Sequence, residues 1–201
     1  MNIIIHRGTH QIGGSAIEIS TKSTRIILDF GNELSLDEKY IPINLDIDGV
    51  TKGMLDCDGI VISHYHMDHL GQLTSALPEI PLYMGELSKE IALIGAEYQG
   101  RDLYLRLLGA NTFRGGEAFS IGDIRIRPLV IDHSAADSYM FVIEAEGKRV
   151  LYTGDFRMHG LRHHVLDKLV NTYIGEVDVL ITEGTSLSRD ADDCISEATV
   201  L

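Results

Sequence analysis

The sequence predicts a mixed α/β fold in which sheets are covered by helices. Three observations predict it: short runs rich in Ile and Val, a few stretches of helical periodicity, and an order that is neither all-β nor strictly alternating. Ile3–Ile5, Ala16–Ile19 and Arg25–Asp29 read as strands, with Gly13-Gly14 as a turn. Residues 33–58 are acidic and irregular, with Asp37, Glu38, Asp46, Asp48, Asp56 and Asp58, and read as a solvated loop. Gly59-Ile60-Val61-Ile62-Ser63 reads as a buried strand. Met67–Ala76 is predicted helical. So is Leu87–Leu108, where Leu87, Ile91, Ile94, Tyr98 and Leu105 fall near helical spacing and Gly95 and Gly100 are potential breaks. Strands resume at Ile124–Arg127, an alternation with one wet face, and continue with Tyr139–Glu144, Arg149–Tyr152 and Val177–Thr182. Between the last two, Arg162–Tyr173 places Val165, Leu166, Leu169, Val170 and Tyr173 on one helical face. No internal repeat, low-complexity tract or Pro- or Ser-rich linker divides the chain, so residues 1–201 read as one domain.

Composition narrows the function classes. The 201 residues carry 17 Lys+Arg against 30 Asp+Glu, a net charge of −13. That argues against broad, charge-driven binding to nucleic acid or an anionic membrane, but not against a narrow cleft made positive by metal ions. No apolar run approaches the roughly 18–20 residues that span a bilayer, and no membrane association is expected. The start, Met-Asn-Ile-Ile-Ile-His-Arg, is too short and too soon polar for a secretory signal. Two cysteines, Cys57 and Cys194, cannot build a disulfide scaffold, so a reducing cytoplasm is expected. Cys57 reads as a buried small apolar residue and Cys194 as an ordinary tail thiol.

The informative segment is Ser63-His64-Tyr65-His66-Met67-Asp68-His69-Leu70-Gly71. In an extended loop the side chains of His64 and His66 point the same way, and a helix starting near Met67 turns Asp68 and His69 back toward that side. Neutral imidazoles and a carboxylate suit zinc, and also manganese or iron. Two further stretches have matching chemistry at strand ends: Asp132-His133-Ser134, and Thr153-Gly154-Asp155-Phe156, where glycine lets the backbone turn.

Together, His64-x-His66-x-Asp68-His69, then His133, then Asp155 in Thr-Gly-Asp, with Leu28-Asp29-Phe30-Gly31 before them, resemble the metallo-β-lactamase fold superfamily. Asp132-His133-Ser134, Thr153-Gly154-Asp155-Phe156, Glu183-Gly184-Thr185 and the early Gly8-Thr9-His10-Gln11-Ile12-Gly13-Gly14 are similar to its β-CASP nuclease branch, especially ribonuclease J. The resemblance implies an αββα sandwich, incomplete at the C-terminus. It implies that residues 1–201 are the N-terminal portion of a longer enzyme, with the β-CASP region and a distal metal histidine absent. His159, His163 and His164 follow Asp155 too closely to replace that histidine. It also implies two divalent metal ions, with zinc expected and manganese or iron as alternatives. One ion takes His64, His66 and His133. The other takes Asp68 and His69, with Asp155 bridging the two.

The function implied is that of a binuclear metal-dependent hydrolase. Two ions roughly 3.5–4 Å apart share a water and lower its pKa toward about 7, and the bridging hydroxide attacks a phosphodiester. Asp68, Asp155 and Glu183 are the candidate catalytic carboxylates, Glu183 as a group that holds or protonates the leaving group or as a solvated strand-end residue. Asp29 orients a ligand histidine or serves as a salt-bridged or turn-capping residue. His10 faces the cleft or the solvent. Ser134 and the loop Thr9–Ser15 contact phosphate, or the loop is an ordinary glycine turn. Arg157–His164, the local concentration of potential positive charge, steers an anionic substrate or is a solvated helix start. RNA is the expected substrate of the longer parent, for which a homodimer is plausible. The alternatives are a small-molecule metallo-hydrolase cutting a thioester, lactone or phosphodiester, and an inactive metal-binding fragment.

Overall fold

The computed structural model describes residues 1–35, 43–187 and 195–200. Among these residues, two sheets form. The first contains β1 (Asn2–Arg7), β2 (Ala16–Ser20), β3 (Arg25–Leu28), β4 (Gly59–Val61), β5 (Leu82–Gly85) and β6 (Asn111–Phe113) in chain order. Its first three strands are antiparallel and β3 to β6 are parallel. The second contains β7 (Phe119–Ile121), β8 (Ile124–Val130), β9 (Tyr139–Ala145), β10 (Lys148–Tyr152) and β11 (Val179–Ile181) in the order β11-β10-β9-β8-β7. Only the β10–β11 pair of that sheet is parallel. The mixed architecture expected from the sequence is therefore present, and no described helix is long and apolar enough to cross a membrane.

Alternation of side chains along each strand divides the apolar residues into three layers. Ile26, Leu28 and Val61 of the first sheet meet Ile126, Phe141, Ile143 and Val150 of the second. On the outer face of the first sheet, Ile27, Ile60 and Leu82 pack against Leu70 of α1 (Met67–Leu70), Ala92 and Ala96 of α2 (Glu86–Gln99) and Leu103 and Leu107 of α3 (Arg101–Leu108). On the outer face of the second, Leu129, Met140, Val142 and Leu151 pack on Leu169 and Ile174. Those two residues belong to a π-helical turn, Leu169–Ile174, that continues α4 (His164–Lys168). The last helix is α5 (Glu197–Val200).

Several elements differ from the sequence reading. The helix predicted over Met67–Ala76 ends at Leu70, because the Gln72 N–H donates to the Phe30 carbonyl at 2.9 Å and so leaves the helical ladder. Leu87–Leu108 is two helices, parted at Gly100 with φ +143, whereas Gly95 stays helical. Arg162–Tyr173 is helical only from His164, and its π turn changes the phase of the chain, so Val170 and Tyr173 face outward instead of sharing the buried face. Strands β5, β6 and β7 have no counterpart in the sequence reading. The stretch 33–58 is not wholly solvated, since Ile47, Val50 and Cys57 are buried in the outer core. Cys57 is buried as expected; Asp37, Glu38 and Cys194 lie outside the described residues.

Strands β3, β4, β8 and β10 all end at one rim of the sandwich, and their following loops meet there: Tyr139 N–H donates to the Ser63 carbonyl at 3.1 Å, linking the two sheets. The tightest junction is between residues 30–32 and α1. Phe30 N–H donates to the His69 carbonyl at 2.7 Å and Asn32 N–H to the Met67 carbonyl at 2.9 Å. Between them Gly31 lies so close to the helix that a Cβ would sit 1.6 Å from the Asp68 carbonyl oxygen. Gly31→Ala must push α1 away. We expect a loss of about 3 kcal/mol of stability, in the range of overpacked interiors, with weakened metal uptake. Chemical unfolding of the two proteins measures it, and equal midpoints and slopes would refute the packing argument.

Candidate metal centre

Each side chain of the centre sits just beyond the end of a strand, on a loop or, for Asp68 and His69, on the short helix α1. After β3, Asp29 takes a left-handed backbone conformation, φ +55, which a short polar side chain tolerates better than most. The turn aims its carboxylate inward, where it is fully buried. There Oδ1 accepts from Ser63 N–H at 2.7 Å. Oδ2 accepts from the Ser63 hydroxyl at 2.7 Å, from the Tyr152 hydroxyl at 2.5 Å and from His69 Nδ1 at 2.7 Å. After β10, Gly154 has φ +53, and a Cβ there would stand 3.0 Å from the Tyr139 carbonyl and 3.1 Å from Ser63 Cβ. Glycine at this point lets the chain turn under the sheet and bring up Asp155.

The imidazoles converge. His64 Nε2 lies 3.1 Å from His66 Nδ1, and His133 Nε2 lies 3.3 Å from the same atom. His69 Nε2 stands 3.3 Å from Asp155 Oδ1 and 3.6 Å from Asp68 Oδ2, while His133 Nε2 is 3.9 Å from Asp155 Oδ2. Among the described residues, two groups have ligand atoms all within 4.8 Å of one another: His64, His66 and His133, and His64, His69 and Asp155. Asp68 stands just outside these groups, at the edge next to His69.

Electrostatics prepare these groups to hold a cation. Burial pulls His64 far below the ordinary imidazole range, and the neighbouring histidines add to it. Burial also lowers His66, and it lowers His133 to about 4 against the opposing pull of Asp155. These three imidazoles are neutral near pH 7, the form that ligates a metal. Burial would lower His69 as well, but the Asp29 and Asp155 carboxylates outweigh it and hold His69 well above the usual range. Burial would raise Asp155, and its hydrogen bond and attraction to His69 bring it down instead. Burial, followed by Asp29, pushes the Tyr152 phenol far up, which keeps it a hydrogen-bond donor. Neutral nitrogens, two carboxylates at the edge and a buried carboxylate behind His69 form a donor set that fits a divalent cation.

The remaining residues singled out from the sequence lie around this centre. Glu183 Oε1 accepts from Phe156 N–H at 2.7 Å, so its carboxylate braces the backbone beside Asp155. Gly13 of the early glycine loop abuts Asp68, since a Cβ there would be 2.8 Å from Asp68 Cβ. His10 is exposed, with φ +59, and Ser134 is exposed beside His133; the convergent groups include neither. His159, Arg162, His163 and His164 are exposed as well. Sequence reasoning assigned no role to Ser63, Tyr152 or Asp132. Ser63 Oγ stands 3.0 Å from His64 Nδ1 and joins that ring to Asp29. A signal for Tyr152 existed in the alternation of β10, where Val150 and Tyr152 both point between the sheets. Asp132 is buried and anchors the loop that carries His133.

Comparison with known proteins identifies the family and the fold. The RNase J-like protein of Methanocaldococcus jannaschii is 29% identical over 189 residues, covering 90% of this chain and 41% of its own length. The chain spans less than half the length of the curated relatives it matches. Among solved structures, a protein of unknown function from Enterococcus faecalis V583 superposes with a TM-score of 0.80 at 22% identity, over 94% of this chain and 51% of that one. The metallo-β-lactamase fold protein YhfI of Bacillus subtilis superposes with a TM-score of 0.55 at 15% identity, over 89% of this chain and 69% of that one. Residues 44–196 match the family model described as a beta-lactamase superfamily domain. With its mixed sheets, its rim of histidines and this match over most of its length, the chain belongs to the β-lactamase superfamily and has the metallo-β-lactamase fold.

Proposed function

We propose that this chain is the metal-binding core of a hydrolase that cleaves phosphodiester bonds in RNA, of the ribonuclease J-like type. The observation that carries the reading is the convergence of His64, His66, His133, His69 and Asp155 from three separate stretches of chain on one rim. Similarity to an RNase J-like protein supports RNA as the substrate. His64, His66 and His133 would hold one divalent ion, and Asp68 and His69 the other, with Asp155 between them. Zinc fits the nitrogen-rich set best, with manganese or iron as alternatives. When bound, the two ions supply Lewis acidity, which activates water near neutral pH and offsets charge growing on phosphoryl oxygens.

The chain's own groups do the rest. Asp29 holds the Nδ1–H of His69 and thereby turns Nε2 toward Asp155 and Asp68. Ser63 does the same for His64, leaving Nε2 to face His66. Asp68 and Asp155 lower the net positive charge of the loaded centre. Glu183 steadies the Asp155 loop through Phe156. The glycine loop packs against Asp68 at the edge of the centre, where a substrate phosphate would pass.

Three outcomes follow. Supplied with zinc or manganese and a 5′-phosphorylated RNA oligonucleotide, the full-length parent should shorten or cut the RNA. His66→Ala should slow this by more than about 100-fold, since losing a ligand exceeds the usual effect of losing a group behind one. Turnover of lactone or thioester without RNA cleavage would contradict the RNA reading. Asp29→Asn should weaken metal binding about 10–100-fold by releasing His69, as measured by competition with a chromophoric chelator; parent-like affinity would remove Asp29 from its orienting role.

The third outcome concerns protons. His69 is held above the ordinary imidazole range, so near pH 7 it carries a proton that a metal on Nε2 must displace. The lowered His64, His66 and His133 have none to give up. Zinc uptake at pH 7 should therefore release about one proton from this side chain, and tighten as pH rises until His69 is neutral without metal. Calorimetry in buffers of different ionisation heat reads that proton. His69→Ala should abolish its release, and an unchanged value would contradict the assignment.

A further inference from the structure

Arg157 takes no part in the chemistry above, yet it ties together the two loops that matter most. It follows Asp155 by two residues. Its backbone N–H donates to the Asp132 carbonyl at 2.9 Å, and its Nε donates to Asp132 Oδ1 at 3.2 Å. Asp132 directly precedes His133, and its side chain is only 4% exposed. The second carboxylate oxygen, Oδ2, accepts from Arg162 N–H at 2.9 Å. Gly160 closes over this contact so tightly that a Cβ would lie 2.3 Å from Asp132 Oδ2 and 2.6 Å from Arg157 Nε. The other end of the guanidinium reaches Glu197 of α5, with Nη1 donating to Oε1 at 2.6 Å. Glu197 is itself tied to the same loop: Oε2 accepts from Leu161 N–H at 3.1 Å, and its N–H donates to the His159 carbonyl at 2.9 Å.

We propose that Arg157 is a positioning residue that sets the span between His133 and Asp155 by gripping Asp132, and that Glu197 locks the grip. The inference rests on the metal reading of the centre. His133 and Asp155 sit on loops from β8 and β10, two strands with β9 between them, and the Asp132–Arg157 contact ties those loops beside the ligand residues. A charge-assisted contact to a buried carboxylate is among the stronger side-chain interactions available for that purpose. The planar fork of arginine serves Asp132 and Glu197 at once, which a lysine ammonium cannot match.

Zinc competition with a chromophoric chelator and the visible spectrum of the cobalt-loaded protein test this in Arg157→Met, Arg157→Lys and Glu197→Gln. Arg157→Met should weaken the more loosely held ion about 10–100-fold and shift the cobalt bands, with an unfolding midpoint showing that the fold persists. Arg157→Lys should restore only part of the affinity, and Glu197→Gln should weaken it less, in the same direction. A folded Arg157→Met protein with parent affinity and an unchanged cobalt spectrum would overturn the inference and leave the proposed function standing. If Arg157→Met does not fold, Glu197→Gln decides, and parent-like affinity and spectrum there would overturn it. A parent protein that takes up no zinc would overturn the metal reading and this inference together.

Discussion

A single buried carboxylate organises this rim. Asp29 has no exposed surface and accepts from a backbone N–H, two hydroxyls and an imidazole. A buried carboxylate is costly unless its lone pairs are filled, and four donors fill them. The four donors come from three residues in different parts of the centre. Ser63 starts the histidine loop, His69 ends it, and Tyr152 closes β10 just before Asp155. Removing any one partner leaves the others facing a poorly satisfied charge, so the four positions stand or fall together.

The sandwich exists to bring those donors to one place. Parallel β3 and β4 deliver Asp29 and Ser63 to the same edge, and β8 and β10 deliver Asp132, His133 and Asp155 from the facing sheet. The apolar layer between the sheets, with Phe141 and Ile143 against Ile26 and Leu28, fixes their separation. Deleting a buried aromatic such as Phe141 costs about 3–5 kcal/mol in typical cores, a large share of a domain's stability. The site thus inherits its rigidity from packing, and its loops need only short hydrogen-bonded ties.

Much of this was legible in the sequence, for local reasons. The apolar runs Ile26-Ile27-Leu28 and Phe141-Val142-Ile143 mark strands covered on both faces, and the Ile-Arg alternation of residues 124–127 shows its wet face directly. His64 and His66 share a side because they are two residues apart on extended chain, and their grouping with His69 follows from the helix at Met67. What escaped depends on partners far away in the chain. Tyr152 meets Asp29 across 123 residues, and Ser63 meets it across 34. Strands β5 to β7 are three or four residues long, too short for a periodicity to show. Ile47 and Val50 are buried despite acidic neighbours because the tertiary fold covers them, and the π turn after α4 breaks the 3.6-residue pattern that had grouped Val170 and Tyr173 with Leu169.

If the proposed function holds, imidazoles from both sheets share one pair of cations beside the Asp29 network. Anomalous diffraction at the zinc edge, from crystals of the zinc-loaded protein, tests it most directly. Peaks are expected about 2.0–2.1 Å from ring nitrogens of His64, His66, His133 and His69, with Asp155 among the ligands. Peaks confined to the exposed histidines 159, 163 and 164, with the four rim imidazoles uncoordinated, would contradict it.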